Sequence, residues 1–140
     1  MRFWDSSAVV PLLIQQPASP RATAWFNGDA ALVLWTLTSV EVTSALRRLA
    51  REARVKEDVA HHAETRLQQI VHDSHLVIDV EAAKELATRL LRLHVLRAFD
   101  ALQLAAALLW AEGHPRGRVL HTLDDRLALA ARREGFSVPV

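Results

Sequence analysis

Short apolar runs, spaced so that a helical stretch separates each from the next, constrain this chain more than any other feature. RFWD at 2–5, ALVLWT at 31–36, HLVIDV near 75–80 and RVLHT at 118–122 are too brief for helices and read as strands. Helical stretches lie between them: AVVPLLIQ after the first run, RATAWFNG ending at Gly28, Thr38 to about Arg54, Lys56 to about Asp73, then 81–94 and 98–112. Gly113, Pro115 and Gly117 mark a loop, and DRLALAARRE and SVPV supply a final helix and strand. Strands linked by helices pair in parallel, and a parallel sheet needs cover on both faces. The expected fold is therefore α/β: three α/β/α layers around a mainly parallel sheet of four to five strands flanked by helices.

A single domain over residues 1–140 is expected, because 140 residues, 51% of them apolar, can bury a core without staples. The absence of cysteine excludes disulfides and thiolate zinc sites and fits a reducing cytoplasm, the expected location. No run approaches the ~18 continuous apolar residues of a membrane span. The N-terminal AVVPLLI is interrupted by Pro11 and preceded by Asp5, so neither a signal peptide nor any membrane association is expected. A net charge of +1 gives no global basic field, although the cations are mostly arginine, whose planar fork suits phosphate.

Open parallel sheets gather ligands beyond the carboxyl ends of their strands. Asp5 closes the first strand and Asp124 follows RVLHT; each is equally well placed to cap the helix that follows it. On the helix from Thr38, residues Val42, Ala45, Leu46, Leu49 and Ala53 form the apolar arc, and Arg47, Arg51 and Arg54 lie opposite. Glu41 sits at the border, with Ser44 and Ala45 at i+3 and i+4, so an ordinary helical ion pair is closed to it. It reads either as a first-turn acid favoured by the helix dipole or as a functional carboxylate.

The segment RAFDALQLAAALLWAEG, 97–113, places Asp100 ahead of a helix that is apolar almost all round. If that helix starts at Ala101, Asp100 is its cap and Gln103 completes a capping box. If it starts nearer Ala98, Asp100 lies within a buried first turn, where an unpartnered carboxylate costs several kcal/mol and calls for arginine or a metal ion. Arg97 is the nearest cation in sequence.

Seven histidines include the adjacent His61 and His62 and the pair His72 and His75, but no HExxH motif gathers them, which argues against catalytic zinc. A receiver or HAD-type phospho-acceptor also carries Asp after its first strand, yet DSSAV lacks the second acid of DxD. Trp4, Trp25, Trp35 and Trp110 are expected mainly in the core, with base stacking as the alternative use.

Four strings, DSSAVVPLL, TSVEVTSALRRL, RAFDALQLAAAL and HTLDDRLALAA, resemble in order the four acidic motifs of PIN-domain nucleases, especially the short bacterial VapC-like toxin ribonucleases. The resemblance spans essentially the whole chain, and RAFDALQLAAAL is its most specific piece. It implies a PIN-like fold and a divalent-metal-dependent endoribonuclease whose acids are Asp5, Glu41, Asp100 and Asp124. Those four would hold Mg²⁺ or Mn²⁺, a hard ion that prefers oxygen donors, as one metal or two. Ser6, Ser7 and Thr122 would position water or support the acids. Thr122 two residues before Asp124 favours that acid over Asp125. Arg47, Arg51, Arg54 and Arg97 are the candidates for binding RNA. The resemblance further implies a homodimer and a small cognate antitoxin as partner. Its alternatives are a PIN nuclease of RNA processing and a degenerate PIN domain that only binds RNA or protein.

Overall fold

The computed structural model describes residues 1–140. Its elements follow the order β1 (Arg2–Trp4), α1 (Ser6–Leu13), α2 (Ser19–Gly28), β2 (Leu32–Trp35), α3 (Thr38–Arg51), α4 (Glu57–Asp73), β3 (His75–Val77), α5 (Val80–Leu93), α6 (Ala98–Trp110), β4 (Leu120–His121) and α7 (Asp125–Glu134). The four strands form one parallel sheet in the order β3-β2-β1-β4. Side chains that alternate along the strands divide between two cores. Phe3, Val33 and Trp35 pack with residues of α5, α6 and α7, whereas Trp4, Leu32 and Leu34 pack with residues of α1 through α4. This is the expected three-layer α/β/α arrangement, and burial on both faces explains why the strands read as unbroken apolar runs.

The element ends differ from expectation where local chemistry intervenes. Helix α3 stops at Arg51 because Ala53 takes a left-handed backbone, φ 53°, and the Arg54 N–H turns back to the Leu49 carbonyl at 2.9 Å, a stop made without glycine. The α2 helix begins at Ser19, since Pro20 is well suited to a first turn. SVPV forms no full strand: Ser137 makes an isolated bridge to Val119, and Pro139 has no N–H to extend it. No single helix is long and apolar enough to cross a membrane; α5 and α6 reach that length only together, across a 116° bend.

The topology fixes where a site can form. Connections run from β1 to β2 to β3 in one direction, and β4 returns to the far side of β1. The order therefore reverses between β1 and β4, whose carboxyl ends carry Asp5 and Asp124.

Candidate active site

Asp5 is the N-cap of α1 and is only 3% exposed. Its Oδ1 accepts from the Ser7 N–H at 2.6 Å and from Ser6 Oγ at 3.2 Å, while Oδ2 accepts from Ser7 Oγ at 2.8 Å and from the Thr122 hydroxyl. Thr122 Oγ1 in turn accepts from the Asp124 N–H at 3.0 Å, and Ser7 Oγ accepts from the Leu123 N–H at 2.8 Å. These bonds tie α1 to the segment that follows β4 and hold the carboxylate in one orientation. Burial pushes the Asp5 pKa up, against the lowering effect of those donors, Thr122 foremost.

Glu41 stands in the first turn of α3 and accepts from Ser6 Oγ at 3.1 Å through Oε2 and from Gln103 Nε2 at 2.9 Å through Oε1. Ser6 thus lies between two carboxylates with one hydroxyl proton for both. Gln103, buried on α6, also donates to Thr38 Oγ1 at 3.0 Å. The capping-box role considered for Gln103 is not the one it fills: α6 begins at Ala98, Asp100 lies in its first turn, and no side chain caps it. Gln103 braces Glu41 across 62 residues of sequence instead, a contact that no local spacing announces.

A cavity of about 770 Å³ opens over this cluster, lined by Glu41, Asp100, Asp124 and Asp125, with Ser6 and Ser7 at its base. Burial raises the Glu41 pKa to about 7, and the negative charges of Asp5 and Asp100 push it in the same direction. Asp100 is also raised, first by burial and then by Asp124 and Asp5, with Arg97 opposing. None of the four acids forms an ion pair. The first-turn carboxylate of α6 is half-buried, and no arginine side chain pairs with it. Asp124 caps α7 through Oδ1, which accepts from the Leu127 N–H at 2.8 Å. Asp125 shares the cavity wall, but it is the charge of Asp124 that acts on Asp100.

The donor set is all oxygen, crowded and short of positive charge, which suits a hard divalent cation in kind. The side chains do not close into a coordination shell: no three carboxylates or imidazoles converge tightly enough to hold an ion as they stand. Asp5 lies just beneath the cavity lining, behind Ser6 and Ser7.

The arginines are placed differently from the helix-face expectation. Arg47 turns toward α4, where it pairs with Glu57 and, at 3.1 Å, with Glu64. Arg54 lies 3.7 Å from Glu52, and neither it nor Arg51 reaches the cavity. Arg97 does line it, together with Arg48 and Arg126, which sequence did not single out. Of the tryptophans, Trp4, Trp25 and Trp35 are buried, and Trp110 lies beneath Arg118.

The pKa directions carry a consequence for stability. Below pH 4.5, the ordinary value for Glu41, its carboxyl is protonated whether the chain is folded or not. Between 4.5 and about 7 only the folded state keeps the proton, so stability falls as pH rises through that window. The ion-free protein should therefore melt lower at pH 8 than at pH 5. The loss is roughly 1–3 kcal/mol after solvent screening, and Glu41→Gln should flatten it. Equal pH slopes for the two proteins in thermal melts with chelator would show that Glu41 does not carry the effect.

A family model described as PIN domain matches residues 2–133. Two curated relatives from Mycobacterium tuberculosis are each 33% identical over 136 residues, covering 97% of this chain and 92% of the relative. They are Ribonuclease VapC45 from strain CDC 1551 / Oshkosh and Ribonuclease VapC49 from strain ATCC 25618 / H37Rv. Among solved structures, FitAcB from Neisseria gonorrhoeae superposes with a TM-score of 0.67 at 16% identity, covering 99% of this chain and 96% of that one. A toxin-antitoxin complex from Klebsiella pneumoniae gives 0.66 at 17% identity, covering 91% of each chain. At those identities the structural likeness speaks for the fold alone.

Proposed function

The chain belongs to the PIN-domain family, and from that premise we propose that it is a divalent-metal-dependent endoribonuclease, the toxin of a toxin–antitoxin pair. The observation that carries this reading is the meeting of Glu41, Asp100 and Asp124 around one cavity, with Asp5 buried and bonded to Ser6 and Ser7 of its lining and no basic side chain paired with any of them. The ribonuclease names of the two relatives at 33% identity support the reaction class. A single domain over residues 1–140, a homodimer, a small antitoxin partner and a cytoplasmic location belong to the same reading.

Asp5 and Asp100 would be the principal holders of Mg²⁺ or Mn²⁺, with Glu41 and Asp124 contributing through water or toward a second ion. Such a cation, when bound, would supply an acidified water and neutralise charge on the scissile phosphate. The protein's part is positional. Ser7 and Thr122 fix both oxygens of Asp5, and the Leu127 N–H leaves Asp124 with one oxygen to spare. Gln103 and Ser6 orient Glu41, whose carboxyl holds a proton to about pH 7 and must give it up when a cation enters. Arg48, Arg97 and Arg126 meet the phosphates that flank the scissile one.

RNA incubated with the protein and Mn²⁺ or Mg²⁺ should be cut, and excess chelator should stop the cutting. RNA left intact with both metals would overturn the enzymatic reading. Asp124→Asn and Asp125→Asn separate the neighbouring acids, because asparagine caps a helix as well as aspartate does. We expect Asp124→Asn to lower cleavage about 10-fold or more and Asp125→Asn to stay within about 3-fold of wild type. The reverse order would move the fourth acid to Asp125.

A further inference from the structure

Phe99 is 58% exposed at the wall of the acidic cavity, one residue before Asp100. Its exposure serves no packing purpose: neither apolar core includes it, while α6 buries Ala101, Leu104 and Leu108. Two further apolar side chains line the same cavity from the start of α3, Leu37 at 36% and Val40 at 63% exposure. The cavity also carries Arg48, Arg97 and Arg126, none of which is in an ion pair. The cavity lining therefore combines an exposed aromatic ring and two exposed apolar side chains with arginines that have no acid partner.

We propose that Phe99, with Leu37 and Val40, forms a shelf on which an unpaired nucleobase of the RNA stacks next to the acids. The proposal rests on the ribonuclease reading and adds a determinant of which RNA is cut. A single-stranded polyanion fits the combination: its phosphates meet the unpaired arginines, and every base has a π-face that an aromatic ring can accept. A base inside a duplex has both faces covered by its neighbours, so the shelf selects RNA that is unpaired at this point. An apolar side chain of a protein partner would use the shelf but would leave the three cations unanswered unless it also brought acids.

The test uses the full-length protein in chelator, so that nothing is cut, with a short single-stranded RNA carrying 2-aminopurine at successive positions. Wild type should quench the probe at one position through stacking. Phe99→Ala and Phe99→Leu should both abolish the quench and weaken binding roughly 5- to 150-fold, and Phe99→Trp should restore both. Phe99 is exposed, so these variants are expected to fold, and circular dichroism checks that they do. Binding by Phe99→Leu equal to wild type would reduce the shelf to a greasy contact and overturn the stacking. Wild-type RNA binding unaltered in Phe99→Ala would overturn the shelf while leaving the ribonuclease intact, with a protein partner as its remaining user. No quench by the wild type at any position would overturn the shelf, whereas the ribonuclease reading stands or falls with the cleavage of RNA in Mn²⁺ or Mg²⁺.

Discussion

Asp100→Asn is expected to cut RNA at least about 100-fold more slowly than wild type while remaining fully folded. Asparagine keeps the shape and stays compatible with the first turn of α6, since its side-chain oxygen can still accept from the backbone of Arg97. It removes a charge that burial, Asp124 and Asp5 all disfavour. Because the folded pKa is raised, ionising this group at neutral pH costs the fold stability, and removing the charge returns it. In chelator near pH 7.5 the variant should therefore melt at or above the wild-type temperature. Added Mn²⁺ should raise the melting temperature of wild type and leave that of Asp100→Asn nearly unchanged. A variant that cuts RNA at the wild-type rate would remove Asp100 from the chemistry and would reopen the question of why the chain tolerates an unpaired carboxylate there.

The second large effect is a split between two substitutions of Asp5. Asp5→Ala takes away the acceptor for the Ser7 N–H at the start of α1 and for the hydroxyls of Ser6, Ser7 and Thr122. A lost cap and stranded hydroxyls each cost about 1 kcal/mol, offset in part by the relief of a buried charge. A net loss of roughly 2 kcal/mol should lower the melting temperature by about 5–8 °C. Asp5→Asn keeps an acceptor for the Ser7 N–H, and the hydroxyls on its other side can rotate to accept from the new amide. It should melt close to wild type. Both variants should lose RNA cleavage by about 100-fold or more, so Asp5→Asn separates the brace from the chemistry. Retained cleavage in Asp5→Asn would make Asp5 a structural cap only.

The fold was legible because its determinants are local. Strands buried on both faces are apolar throughout, as LVLW is, and an all-round apolar helix such as 98–110 has to lie inside. The four acids were reachable from strand ends and helix starts together with the family resemblance. Their supports were not. Gln103 sits among alanines and leucines, and its bond to Glu41 depends on how α6 crosses α3. The arginine face of α3 failed for a similar reason. One residue step of about 100° separates Arg47 from Arg48, and only the docking of α4, with Glu57 and Glu64, decides which of them is occupied and which faces the cavity. Periodicity gives a face but not what lies across from it.

The central strand β1 emerges first in synthesis, yet its neighbour β4 begins only at Leu120. Thr122, which locks Asp5, and Asp124 come with that last strand and the turn after it. A nascent chain still on the ribosome short of that point can build helices and pair β1 with β2, but it has no closed pocket. Translation that stalls or is cut short before residue 120 thus leaves Asp5 without Thr122 and the cavity without Asp124, and on the proposed reading such a product is inert.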